Sequence, residues 1–76
     1  MDGTTTQAEL IALLAEPLGE AVAREVVTET ARAMGLPERF PHKDAIRLLE
    51  RVALRGGLVG ITARFTMSRL HLRGTR

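Results

Sequence analysis

The sequence predicts an all-α fold, a single small domain built as a bundle of about four helices. Apolar residues recur at spacings of three and four, which is the period of a helix with one buried side. Start and stop signals separate these periodic segments, and 76 residues suit one domain. The predicted helices span residues 6–15, 18–34, 42–55 and 58–72, and residues 1–5 and 74–76 are expected to be flexible.

A capping box predicts the start of the first helix. Thr6 and Glu9 stand three residues apart ahead of an apolar run. In this motif the Thr hydroxyl accepts a hydrogen bond from a free N–H of the first turn, and the Glu carboxylate reaches back to the Thr N–H. Pro17 lacks an N–H and clashes with the preceding turn inside a helix. The sequence therefore predicts a break near Glu16 and Pro17.

The second and third helices have clear ends. Gly35 can adopt the left-handed conformation that closes a helix, Leu36 supplies the following hydrophobic contact, and Pro37 prevents continuation. Residues 37–43 are predicted to be a loop, and Gly56-Gly57 is predicted to end the third helix. No internal repeat is evident in the letters. The predicted buried residues of the third helix are Ala45, Ile46, Leu48, Leu49, Val52 and Ala53.

Residues 58–72 fit two conformations. Apolar and polar residues alternate from Val59 to Ser68, as in a half-buried strand. Helix is favoured because three helices precede this segment and a lone strand cannot satisfy its backbone groups. The alternative is a C-terminal strand or hairpin used in oligomerisation. As a helix the segment has two apolar sides: Leu58, Ile61, Phe65 and Leu72 on one, and Val59, Ala63, Met67 and Leu70 on the other.

Charge is distributed unevenly along the chain. Residues 1–30 carry six acids against Arg24 alone, a balance of −5, and residues 31–50 carry three acids and four bases, or +1. Residues 51–76 carry six arginines and no acid, or +6. This separation predicts either a basic surface for an anionic partner or two poles that attract each other across a dimer.

Several function classes find no support in the residues. The chain has no cysteine for disulfides or thiolate metal sites. It has no secretory signal pattern and no apolar run long enough to span a bilayer, so we expect a cytoplasmic protein. Ser68 and His71 lack an orienting acid nearby, and His42 has too few ligand neighbours for a metal. We therefore expect a non-enzymatic protein without a cofactor or a metal.

The predicted function is protein–protein interaction or self-assembly, as in an adaptor or a homo-oligomer. A helix with two apolar sides has more apolar surface than one small bundle covers, so one side is expected to meet another chain. The predicted partner surface consists of Val59, Ala63, Met67 and Leu70, with Arg64, Arg69 and Arg73 setting orientation by charge.

The alternative function is nucleic-acid binding through the third helix. A basic stripe recurs there at four-residue spacing, so its members share one helix face, and basic side chains bind phosphates by releasing counterions. Two observations weigh against this reading: Asp44 and Glu50 lie beside the stripe, and the chain has no aromatic set for stacking on bases. The stripe consists of Lys43, Arg47, Arg51 and Arg55.

Overall fold

Four helices and a two-stranded sheet form the protein in a computed structural model that describes residues 3–74, with side chains described up to residue 70. The prediction of a small four-helix bundle is confirmed. Gly57–Gly74 is one helix, so the strand alternative for this segment is wrong. In chain order the elements are β1 (Thr4–Thr6), α1 (Gln7–Leu18), α2 (Glu20–Met34), β2 (Arg39–Pro41), α3 (His42–Ala53) and α4 (Gly57–Gly74).

The break between α1 and α2 lies at Gly19, three residues later than predicted for Glu16. Pro17 sits in the last turn of α1, where it removes one hydrogen bond without stopping the helix. The Gly19 N–H still donates to the Ala15 carbonyl at 2.7 Å. Gly19 then takes a φ of 87°, which a glycine adopts at little cost and other residues do not. The glycine, rather than the proline, turns the chain.

A short antiparallel sheet was missed in the sequence. Thr4–Thr6 pairs with Arg39–Pro41, and Thr5 lies opposite Phe40 with both side chains buried. The predicted loop at 37–43 is therefore wrong for residues 39–43, which form β2 and the start of α3, and residues 4 and 5, which were expected to be flexible, belong to β1. Each strand has only three residues, too few for a recognisable alternation. Residues 1, 2, 75 and 76 lie outside the described part of the chain, so their expected flexibility is not addressed.

Hydrogen bonds tie the start of α1 to the segment before β2. The capping box is confirmed: the Glu9 N–H donates to Thr6 Oγ1, and the Thr6 N–H donates to Glu9 Oε1, both at 3.0 Å. The Gln7 N–H donates to the Glu38 carbonyl at 2.9 Å, and the Ala8 N–H donates to the Glu38 carboxylate at 3.2 Å. The N–H groups that a helix start leaves free thus find partners here.

The chain folds as two similar halves, each a strand followed by two helices. The first half is β1–α1–α2 and the second is β2–α3–α4. Backbone bonds repeat across them, because the Gln7 N–H donates to the Glu38 carbonyl and the His42 N–H donates to the Gly3 carbonyl. Each of these bonds maps onto the other by a shift of 35 residues. The structure therefore contains a repeat that is not evident in the amino-acid sequence. The two halves share mainly the apolar character of their inward positions, and not their residue identities.

The helices form a closed ring around one core. α1 packs on α2, α2 on α3, α3 on α4, and α4 on α1.

The predicted end of α2 is confirmed, because Gly35 is left-handed and the Leu36 N–H donates to the Ala31 carbonyl at 2.9 Å. Ile46, predicted to be buried, is only half-buried. The buried apolar residues are Leu10, Leu14, Ala23, Val26, Val27, Ala31, Phe40, Ala45, Leu48, Leu49, Val52, Ala53, Ala63 and Leu70.

A candidate protein-binding face on the last helix

A close contact at Gly60 fixes which side of α4 faces inward. A Cβ atom at this position would lie 2.8 Å from the carbonyl oxygen of Ala53, at the end of α3. Only a glycine lets the two backbones approach so closely. Because Gly60 points at α3, the residues that share its side of the helix point inward as well.

The partner surface predicted from the sequence lies on this inward side. Ala63 and Leu70 are buried, with 0% and 3% exposure, and Val59 and Met67 are half-buried and pack against the core. These four residues form the inner side of α4, so the predicted assignment of the two apolar sides is reversed. The small residues Gly60 and Ala63 could have indicated the inward side of α4, because small side chains suit a helix face that crosses another helix closely.

The opposite side of α4 exposes three large apolar residues, which form the outer stripe. Leu58 is 62% exposed, Ile61 is 55% exposed and Phe65 is 69% exposed. Spacings of three and four residues place them in a row along one face. Single exposed apolar residues are ordinary, but a contiguous group on one face is typical of an interaction site. Leu72 continues this spacing in the sequence, but its side chain lies outside the described residues.

The first half of the chain provides an internal comparison for this stripe. Helices α2 and α4 occupy equivalent places in the two halves, and a shift of 40 residues aligns three pairs of buried positions between them. Under this shift Ile61 and Phe65 correspond to Ala21 and Glu25, which are also exposed. The fold thus places these positions on the surface in both halves, yet only α4 fills them with large apolar residues. The matched buried pairs are Ala23 with Ala63, Val26 with Thr66, and Thr30 with Leu70.

Arginines flank the outer stripe on both sides. At about 100° per residue, Arg64 and Arg69 fall on opposite edges of the stripe, and both are exposed. The ion pairs among the described side chains are Glu20–Arg24, Asp44–Arg47 and Glu29–Arg55, so they include neither of these arginines. Both guanidinium groups are therefore free, within the described structure, to meet an external carboxylate. The side chain of Arg73 lies outside the described residues.

Comparison with known proteins does not assign a function to this chain. No family model, curated protein or solved structure matches this chain. Within residues 3–74, no helix combines the length and the apolar character that a membrane crossing requires.

The basic stripe of α3 is exposed as the sequence predicts, but part of its charge is compensated. All four of its residues, Lys43, Arg47, Arg51 and Arg55, lie on the surface. The Arg47 guanidinium lies 3.9 Å from the Asp44 carboxylate, and that of Arg55 lies 3.6 Å from Glu29. Between α2 and α3 is an open depression lined by Glu29, Thr30, Ala33, Arg51 and Arg55.

The described residues do not assemble a metal-binding cluster. No group of three or more His, Asp or Glu side chains among them is arranged to hold a metal ion. Ser68 is exposed, and the side chain of His71, its predicted neighbour, is not described. His42 starts α3 beside Gly3, and its Nε2 atom is buried without a hydrogen-bond partner among the described groups. This histidine directly follows β2 in the chain.

Proposed function

We propose that this protein is a non-enzymatic protein–protein interaction module that binds its partner through the outer stripe of α4. The observation that carries the proposal is the exposure of Leu58, Ile61 and Phe65 on one helix face. The positions of α2 equivalent to Ile61 and Phe65 carry Ala21 and Glu25, so the fold itself does not require large apolar residues at these two positions. Arg64 and Arg69 on the two edges favour a partner with acidic groups.

The energy available from the outer stripe indicates how large the partner contact must be. Full burial of one large apolar side chain contributes about 1.5–3 kcal/mol, so three side chains that are just over half exposed contribute about 3–6 kcal/mol. Association itself costs roughly 4–15 kcal/mol in lost freedom. The stripe is therefore the centre of a binding surface, and adjacent residues must add to it.

Site-specific photo-crosslinking in cells that make the protein tests this proposal. Benzoylphenylalanine replaces Phe65 in one variant and Glu25 in a matched control, because the two positions are equivalent in the repeat and both exposed. We expect a discrete crosslinked protein product from position 65 and none from position 25. An absence of product at 65, or equal products at both positions, contradicts the proposal.

The second candidate function is nucleic-acid binding by the basic stripe of α3. The observation that favours it is the exposure of Lys43, Arg47 and Arg51 on one face of α3, with Arg55 exposed just beyond the end of the helix. Fluorescence anisotropy with DNA and RNA oligonucleotides at low salt tests it. Nucleic-acid binding predicts an affinity that falls steeply with added salt and is lost when Arg47 and Arg51 are both replaced by Glu. No detectable affinity at low salt removes this candidate.

A further inference from the structure

We infer that the partner of the outer stripe is a second copy of the same chain, and that the outer stripe of each copy packs against α1 of the other. The inference rests on the proposed function and specifies its partner. It predicts a closed, symmetric dimer in which the same surface of each copy is used. That surface, called here the α1–α4 face, consists of the exposed sides of these two neighbouring helices.

Charge disfavours the simpler dimer in which two copies of α4 face each other. The outer stripe is flanked by Arg64 and Arg69, and residues 51–76 contain no acid. Two such helices placed face to face bring arginines near arginines, with no carboxylate of their own to compensate. Like charges held together at an interface oppose association. The surface that meets the stripe must therefore supply acids.

Helix α1 supplies an acidic surface with room for large side chains. Its sequence, residues 7–18, contains Glu9 and Glu16 and no basic residue. Both glutamates are exposed, and so are Ala8 and Ala12 on the same side of the helix. Alanine side chains leave a shallow channel along a helix, and large residues of a crossing helix fill such a channel. α1 and the outer stripe thus match in both charge and size.

The two matching surfaces lie side by side on the molecule. α4 contacts both α3 and α1, and Gly60 marks the edge of α4 that faces α3. The opposite edge of α4, which carries Leu58 and Arg69, therefore lies toward α1. The shift of 35 residues relates Glu16 of α1 to Arg51 of α3. Arg51 lines the depression between α3 and α2, so Glu16 is expected at the corresponding border between α1 and α4. Acidic and apolar surfaces therefore adjoin along the groove between α1 and α4.

This adjacency allows both contacts to form at once. A two-fold axis that runs along the helices places α1 of each copy over α4 of the other, so the acidic and basic surfaces meet twice. A two-fold axis across the helices instead places α1 over α1 and α4 over α4, which opposes like charges. An interface related by a two-fold axis closes on itself and does not grow into a chain. The charge pattern therefore selects one arrangement of the dimer.

The size of the face sets the expected affinity. α1 has 12 residues, so the face is about 18 Å long, and two adjacent helices make it roughly 20 Å wide. These dimensions give about 360 Å² per partner, which is less than half of the roughly 800 Å² that a standard specific interface buries on each side, so the dimer should be weak. We expect a reversible dimer in the micromolar range.

Sedimentation velocity measures this equilibrium on the full chain. Between about 5 and 500 μM, a range that brackets micromolar affinity, the mass should rise from 8.3 kDa to twice that value. Phe65→Glu and Ala12→Lys should each weaken the dimer at least about 30-fold, as expected for central interface residues. Both positions are exposed, so far-ultraviolet circular dichroism should show unchanged helicity. Glu25→Lys, at the position in α2 equivalent to Phe65, is the control and should dimerise no more weakly than the wild type.

Mixing the two variants tests the pairing directly. In a mixed dimer, the carboxylate introduced by Phe65→Glu in one copy faces the ammonium group introduced by Ala12→Lys in the other, and the second contact is unaltered. We expect the mixture to form a one-to-one heterodimer at concentrations at which each variant alone is monomeric. The inference is overturned if the wild type is monomeric throughout, if Ala12→Lys dimerises normally, or if masses grow beyond a dimer.

The outcomes separate this inference from the function on which it rests. A wild type that stays monomeric, combined with a crosslink from position 65 to a different protein, overturns self-pairing and leaves the interaction function in place. A crosslink to a second copy of the chain supports both. The absence of any crosslink and of any dimer removes both.

Discussion

Replacing Gly60 by alanine should destabilise the protein, although the same change stabilises most helices. The added Cβ would lie 2.8 Å from the carbonyl oxygen of Ala53, 3.6 Å from its carbonyl carbon and 3.8 Å from its Cα. All three atoms belong to the backbone of α3, so no side chain can rotate away. The helices have to separate, and the contact between α3 and α4 that holds the second half together is strained.

The magnitude follows from two opposing terms. Alanine gains about 1 kcal/mol over glycine within a helix. Overpacking a tight contact costs about 1–3 kcal/mol, and a clash with backbone belongs in the upper part of that range. The net loss in the free energy of unfolding should be about 1–2 kcal/mol. For a domain of this size, that corresponds to a Tm lowered by about 5–15 °C.

Urea denaturation followed by far-ultraviolet circular dichroism measures this loss, at protein concentrations low enough to keep the chain monomeric. Ser68 provides the matched control because it is exposed on the same helix. At position 68, alanine should be more stable than glycine by about 0.5–1 kcal/mol. At position 60, the alanine variant should instead be less stable than the glycine of the wild type. If Gly60→Ala is as stable as the wild type or more stable, the close approach of α3 and α4 is not as described.

Five further substitutions at four positions test other parts of the fold by the same denaturation assay. Thr6→Ala should lower the free energy of unfolding by about 1 kcal/mol because the capping box loses its acceptor, whereas Thr6→Ser should lower it little. Equal effects would contradict the role of the hydroxyl. Gly35→Ala should cost about 1–2 kcal/mol because its φ of 72° strains any side chain, and an unchanged midpoint would contradict this. Leu48→Ala should cost about 2–5 kcal/mol, whereas Phe65→Ala should change stability by less than about 0.5 kcal/mol; comparable losses would mean that Phe65 belongs to the core.

The fold class could be predicted from the sequence because its signals are local. The capping box at Thr6 and the helix stop at Gly35 involve residues only a few positions apart, and both form as predicted. The spacing of apolar residues likewise identified the buried positions of α3 apart from Ile46. Such features depend on backbone geometry within one or two turns, which the order of residues largely determines.

The pairing of distant segments could not be predicted in this way. The β1–β2 ladder joins Thr5 to Phe40, and neither three-residue strand has a pattern that would reveal it. The repeat of the two halves was hidden for a related reason. Equivalent positions need only be similarly buried, so their residue types are free to differ, as Thr30 and Leu70 do.

The two apolar sides of α4 show most clearly what the sequence determined and what only the tertiary structure determined. The letters of residues 58–72 determined that α4 has two apolar sides and a basic edge, because these properties follow from composition and helical period. They did not determine which apolar side faces solvent. The approach of Gly60 to the Ala53 carbonyl decided this, burying Ala63 and Leu70 and exposing Leu58, Ile61 and Phe65. The rotation of a helix about its axis depends on the shape of the surface it packs against, and that surface exists only once α3 is in place.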